Sequence, residues 1–173
     1  IKPISPDAVA KLGDEIAITK VVENDPQGRP YSWPQETAKV LQKIVVHHTD
    51  IATPRTPDEA VGYLQSIYYF HTITRGWGDI GYNYVIDPFG NIYEGRAGGP
   101  GVVGAHASNF NIGSIGIAMM GDYQTNEVPP AAKRALVALI QQLARQNHID
   151  PAGHGLFRLE DLPNVIGHRD VGQ

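Results

Sequence analysis

The sequence predicts an α/β fold: a single domain with a central mixed β-sheet flanked by helices, which cover both of its faces. Three observations carry this. The run Ile44-Val45-Val46 does not alternate with polar residues, as expected of a strand buried on both sides. Two segments with helical periodicity, near residues 57–74 and 130–147, are interleaved with further short apolar runs. At 173 residues the chain can bury one real core but is too short to expect two.

The hydrophobic fraction of 42% with 18% charged residues is globular rather than disordered. A net charge of −4 gives no electrostatic case for nucleic acid or an anionic membrane, and no apolar run approaches a membrane span. There is no signal-peptide pattern, and the start at Ile1 rather than methionine predicts a processed or trimmed product. With no cysteine, the redox compartment is open and any metal must be held by histidines and carboxylates. Glycine (19) and proline (13) predict a loop-rich surface.

Residues 1–34 read as an N-terminal arm. Pro6 to Leu12, with Ser5 ahead of it, is a short helix candidate, and Ile16 to Val22 a strand candidate. The loop Asn24 to Pro30 separates the arm from a main domain at 35–173. A strand then ends on His47-His48. Thr56-Pro57-Asp58-Glu59 is a capping box that opens a helix. Val61, Leu64, Tyr68 and His71 recur at helical spacing, which puts His71 on the inward stripe of a helix reaching about Thr74.

Tyr82 to Ile86 and Asn91 to Glu94 flank the turn Asp87-Pro88-Phe89-Gly90 as a hairpin. The glycine-rich stretch 95–101 is a loop. Val102 to Ala105 and Ser114 to Met119 are strand candidates. Ala135, Leu136, Leu139, Ile140 and Leu143 define the apolar face of a second helix, from Pro129-Pro130 to about Asn147. A loop from Asp150 to Asn164 leads to a last strand, Val165-Ile166-Gly167, ending on His168.

Two of these strands share a theme, an apolar run closed by histidine: Val45-Val46-His47 and Val165-Ile166-Gly167-His168. If both end at one sheet edge, two imidazoles meet where the core opens to solvent. Neutral imidazole is the commonest protein ligand of zinc, and a catalytic zinc needs three protein ligands plus an open position. The competing reading makes each a core histidine bonded to backbone. Neighbouring side chains on a strand point to opposite faces, so His47 and His48 cannot both serve one metal, and the pattern does not choose between them.

Ile44-Val45-Val46-His47-His48-Thr49, Gly76-Trp77-Gly78-Asp79-Ile80-Gly81-Tyr82-Asn83-Tyr84, Tyr93-Glu94-Gly95-Arg96, Val103-Gly104-Ala105-His106 and Gly167-His168-Arg169-Asp170-Val171 occur in this order. Together, over about residues 40–173, they closely resemble the family of peptidoglycan recognition proteins and type 2 N-acetylmuramoyl-L-alanine amidases. The resemblance implies a zinc hydrolase that cuts the amide between N-acetylmuramic acid and L-alanine of peptidoglycan. It implies a secreted or wall-associated setting, and peptidoglycan or a muropeptide as partner. Carried over, His47 and His168 are zinc ligands, and Tyr82 is the tyrosine beside the zinc-bound water.

His71 and Trp77 border the implied cleft, and Arg96, His106 and Asn111 lie on loops lining the implied peptide groove. For these last residues a structural reading stands alongside: Glu94 pairing with Arg96, His106 capping a strand end. The family's third ligand, cysteine or aspartate, lies about eight residues past the second histidine, beyond Gln173, so the sequence reads as truncated there. The alternative to an enzyme is a non-catalytic module that binds peptidoglycan in the same groove. A fragment without activity is a third reading.

Overall fold

The computed structural model describes residues 19–20 and 36–171. In chain order the elements are β1 (Thr19–Lys20), β2 (Lys43–His48), α1 (Pro57–Tyr69), β3 (Tyr84–Ile86), β4 (Ile92–Glu94), β5 (Ser114–Met119), α2 (Pro130–Gln146), β6 (His154–Phe157), β7 (Glu160–Pro163) and β8 (Val165–Gly167). Six strands form one sheet in the order β1-β4-β3-β5-β2-β8, parallel except for the β3–β4 hairpin. The expected helix at Pro6 to Leu12 lies outside the described residues, as does most of the Ile16 to Val22 strand.

Strand alternation divides the core. Ile44, Ile115, Ile117 and Tyr84 face α2 and meet Ala135, Leu139 and Leu143. Val85, Ala118 and Tyr93 face the other way and meet Ala60, Leu64 and Ile67 of α1. Each fully buried Leu or Ile contributes about 1.5–3 kcal/mol, so both helices are fixed by their apolar stripes. The two faces are thus covered as the periodicity predicts. Among the described residues no helix is long and apolar enough to cross a membrane.

Helix α1 starts as its sequence dictates. Thr56 Oγ1 accepts the Glu59 N–H at 3.1 Å, while the Glu59 carboxylate takes the Arg55 N–H rather than that of Thr56. The helix ends differently from expectation. Phe70–Thr74 forms a π-helical turn, with the Arg75 N–H bonded to Phe70 O at 3.0 Å. The Thr72 hydroxyl donates back to Tyr68 O at 2.7 Å.

Two expectations need correcting. The stretch 150–164 is not simply a loop: β6 and β7 pair antiparallel as a hairpin. Its two-residue turn, Arg158-Leu159, has both residues at positive φ (53° and 71°). Such turns are normally marked by Asn or Gly, and this one carries neither, so the sequence gives no hairpin signal. Val102 to Ala105 is not a strand either. Val102 makes one isolated bridge to Thr37, while Val103 and Ala105 donate to Glu36 O and Gly81 O. Its backbone bonds tie loops together rather than extend the sheet.

The β6–β7 hairpin is fastened to β2 by a buried lysine. Lys43 Nζ donates to Leu162 O (2.6 Å), Asn164 Oδ1 (2.8 Å) and Gly155 O (3.0 Å), using all three of its protons. Burial pushes its pKa below the usual lysine value, with Asp161 acting in the opposite sense.

Candidate active site

Strands β2 and β8 are parallel neighbours, with Val46 opposite Gly167. The residue after each of these is a histidine, so His47 and His168 arrive at the same edge. Their ring centroids lie 4.3 Å apart. His47 is buried on the Val45 face of the strand, whereas His168 opens a 3-10 turn and is exposed. Tyr82 stands on the other side of His47, at 5.4 Å between centroids. His106 closes the group, with its Nδ1 3.0 Å from His47 Nε2.

These imidazoles are held neutral. The His47 pKa is pushed down to about 2, first by burial and then by His106, His168 and His48. That of His106 falls to about 3, from burial, His168 and Arg96. His168 is shifted the same way by burial and by His48. A neutral ring keeps a bare nitrogen lone pair, which is the form a metal requires. Burial, with a contribution from Asp50, raises the Tyr82 pKa, so its phenol stays protonated at neutral pH.

Local bonding places Tyr82. The next residue, Asn83, is locked from three directions. Its Oδ1 accepts the Gly116 N–H at 2.9 Å, its Nδ2 donates to Val102 O at 2.8 Å, and its own N–H donates to Gly116 O at 3.0 Å. This is why β3 begins at Tyr84 instead of Tyr82. His71, on the π-helical turn, accepts the Gly81 N–H on Nδ1 at 3.0 Å. Its proton therefore sits on Nε2. Its pKa is lowered to about 4 by burial and by Arg96 and Arg75. Trp77 packs on His71 at 4.7 Å, and Arg75 lies over the indole at 5.8 Å.

Of the residues expected to meet ligand, His71, Trp77, Tyr82, His106 and His168 line one cavity of about 600 Å³, with an apolar wall from Ile51, Ile67 and Phe70. Arg96 and Asn111 are not in that lining. Arg96 is buried, and its guanidinium donates to Ile80 O (3.0 Å) and Trp77 O (3.1 Å), bracing the loop ahead of Tyr82. Asn111 Oδ1 accepts the N–H groups of His106 and Ala107, both at 2.8 Å, and so sets the backbone that carries His106. A larger hollow of about 720 Å³ opens at the N-terminal end of β2, away from His47 and His168.

His48 points to the opposite face. Its Nδ1 accepts the Tyr123 N–H at 3.2 Å and lies 3.5 Å from Asp122 Oδ1. Among the described residues, the group of three metal-ligating side chains whose ligand atoms fall within 4.8 Å is His48, Asp50 and Asp122. Sequence reasoning missed this group, because Asp122 lies far along the chain and no spacing links it to His48. It also missed Ser114, whose hydroxyl lies 3.4 Å from His106 Nε2. A strand-initial serine gives no hint of that.

Zinc fits the donor chemistry where His47 meets His168. His47 and His168 present neutral nitrogens side by side, the preferred ligands of a metal that also takes cysteine sulfur and carboxylate oxygen.

The chain is an α/β domain with a mixed central sheet, and two of its parallel strands carry histidines to the same edge. The sequence profile of the N-acetylmuramoyl-L-alanine amidase family (Amidase_2) matches residues 36–173, and the chain belongs to that family. It is 35% identical over 157 residues to peptidoglycan-recognition protein SC2 of Drosophila melanogaster, covering 91% of this chain and 79% of that protein. Its fold is similar to that of the ectodomain complex of peptidoglycan recognition proteins LCa and LCx bound to tracheal cytotoxin. There the TM-score is 0.74 and the identity 27%, over 91% of this chain and 87% of the other. It is also similar to peptidoglycan recognition protein LE in complex with tracheal cytotoxin, a monomeric diaminopimelic acid-type peptidoglycan. In that case the TM-score is 0.72 and the identity 25%, over 88% of this chain and 82% of the other.

Proposed function

We propose that this domain is a zinc-dependent N-acetylmuramoyl-L-alanine amidase, which hydrolyses the bond between N-acetylmuramic acid and the stem peptide of peptidoglycan. The observation that carries the reading is that the rings of His168 and Tyr82 both pack on His47, at 4.3 and 5.4 Å between centroids, in a chain of this family. His47 and His168 would hold the zinc, with a further ligand from beyond Gln173. The metal would supply an acidified water and polarise the scissile carbonyl.

The chain's own groups do the rest. The Tyr82 phenol, protonated at neutral pH, donates a hydrogen bond to the oxygen that gains charge as the carbonyl is attacked. His71 offers Nε2–H from the cavity wall, and the Trp77 indole gives an apolar face beside it. The cavity's size suits a muropeptide rather than a single sugar or amino acid. Arg96 and Asn111 support the loops instead of touching ligand. The setting is outside the cell or at the wall, where the polymer lies. Residues 35–173 would form the catalytic domain, to whose sheet Thr19–Lys20 adds a strand.

The test combines zinc titration with peptide release from purified cell wall, using a chain extended past Gln173. Wild type should bind one zinc and release stem peptide, and His47→Ala should abolish both, whereas His48→Ala should retain zinc. Retention of peptidoglycan without release of peptide would replace the enzyme reading with the recognition-module reading. Full activity in His47→Ala would overturn the ligand assignment.

A further inference from the structure

We infer that Ser114 and His106 form a directed hydrogen-bond chain that fixes the tautomer of His47 and leaves its Nδ1 as the free ligand nitrogen. The argument starts at the serine, which has one proton to give. Its oxygen lies 2.5 Å from Phe110 O and 3.2 Å from Asn111 O, and carbonyls only accept. The shorter contact takes the proton, since two oxygens at that distance with none between them would repel. The Ser114 oxygen therefore turns a lone pair toward His106 Nε2, 3.4 Å away, and that nitrogen must be the donor.

A neutral imidazole carries one N–H, so His106 Nδ1 is then a bare acceptor. It faces His47 Nε2 at 3.0 Å, which must donate. His47 is left with its lone pair on Nδ1. Each direction follows from the one before, and the chain ends on a backbone carbonyl that cannot reverse.

The His106 ring has no freedom to break the sequence by rotating. Its backbone is held through Asn111 Oδ1, and its ring lies between two glycines. A Cβ on Gly104 or on Gly116 would come within 2.5 Å of its Cδ2. Ser114 is accordingly a positioning residue, acting on the site only through His106. Outer hydrogen-bond partners of this kind hold a ligating histidine in orientation and raise its basicity.

Only the link to metal affinity rests on the zinc reading. The tautomers themselves belong to the metal-free protein. Long-range 1H–15N correlation spectra of the metal-free protein at pH 7 should show His47 and His106 both as Nε2–H tautomers. His47 as the Nδ1–H form, or either ring averaging between forms, would overturn the inference. Ser114→Ala should let both rings average and weaken zinc binding by about 10-fold, the lower end of the 10–100-fold cost typical of losing such a partner. Ser114→Thr, which keeps the hydroxyl, should restore both. Unchanged tautomers and zinc affinity in Ser114→Ala would overturn the inference. Should that variant fail to fold, the wild-type and Ser114→Thr spectra decide. Nε2–H tautomers in a wild type that takes no zinc would uphold the chain and defeat the zinc reading alone.

Discussion

Gly116 lies flat against the imidazole of His106: a Cβ at this position would stand 2.5 Å from both Cγ and Cδ2 of the ring. The contact puts a central strand of the sheet in direct touch with the loop that bears His106, one of the site's buried histidines. A methyl group there must displace the ring, which Asn111 and Ser114 hold in place. Gly116→Ala should therefore destabilise the fold by about 1–3 kcal/mol, the usual cost of overpacking a filled core. Urea denaturation at neutral pH reads this directly, and a change below about 0.5 kcal/mol would show that the ring can move aside.

Tyr82 should matter to turnover and not to metal. Tyr82→Phe removes a single donor while keeping the aromatic packing against His47 and His71. Loss of one donor to a developing oxyanion lowers kcat by about 100-fold or more. Zinc affinity, measured by chelator competition, should stay within about two-fold, since a ring swap leaves both nitrogens in place. A variant with wild-type peptide release would remove Tyr82 from the chemistry.

His71 should make the fold acid-sensitive. Its pKa is about 4 when folded, against 6.5 for the free side chain. Between these values the unfolded chain binds the proton more readily, so stability falls as pH drops from about 6.5 towards 4. Above that window the contribution is fully present. His71→Gln cannot titrate, and its urea stability should decline less than that of wild type over the same interval, by about 1–3 kcal/mol. Parallel pH profiles for the two proteins would argue against a buried neutral ring.

Lys43 offers a test remote from the site. Lys43→Met has similar reach but no protons, and leaves two backbone carbonyls and the Asn164 amide oxygen without their donor. We expect a loss of about 2–4 kcal/mol from these unpaired buried groups. Amide exchange should speed up first in β6 and β7, because the lysine is their tie to β2. Uniform exchange across the domain would place the effect elsewhere.

Much of this fold was readable in the sequence because its signals were strong and local. The apolar runs of β2 and β5 and the stripe of α2 each declare their burial without help from the rest of the chain. The β6–β7 hairpin was not readable, since Arg158 and Leu159 adopt left-handed conformations that neither residue type advertises. The π-helical turn escaped for a similar reason: a helical stripe continues through His71 whether the last turn is α or π.

The site was legible in part. Alternation alone separated His47 from His48 but could not say which one would meet His106 and Tyr82. The packing of Val45 and Ile44 against different cores supplies that direction. Arg96 and Asn111 look like ligand-binding residues in a list of polar side chains on loops. Their partners include backbone groups that no side-chain pattern can reveal: Ile80 O and Trp77 O for one, and the His106 and Ala107 amides for the other.

The parallel pairing of β2 with β8 has a consequence for assembly. His47 and His168 come from opposite ends of the described domain, so pairing their strands closes a long loop. Such long-range pairings form late, because the loop-closure entropy is spent before the contact is gained. A chain in which β8 has not docked on β2 lacks the paired histidines. A metal or ligand captured there selects the finished domain over every incomplete one, and its binding energy then adds to the stability of the whole chain.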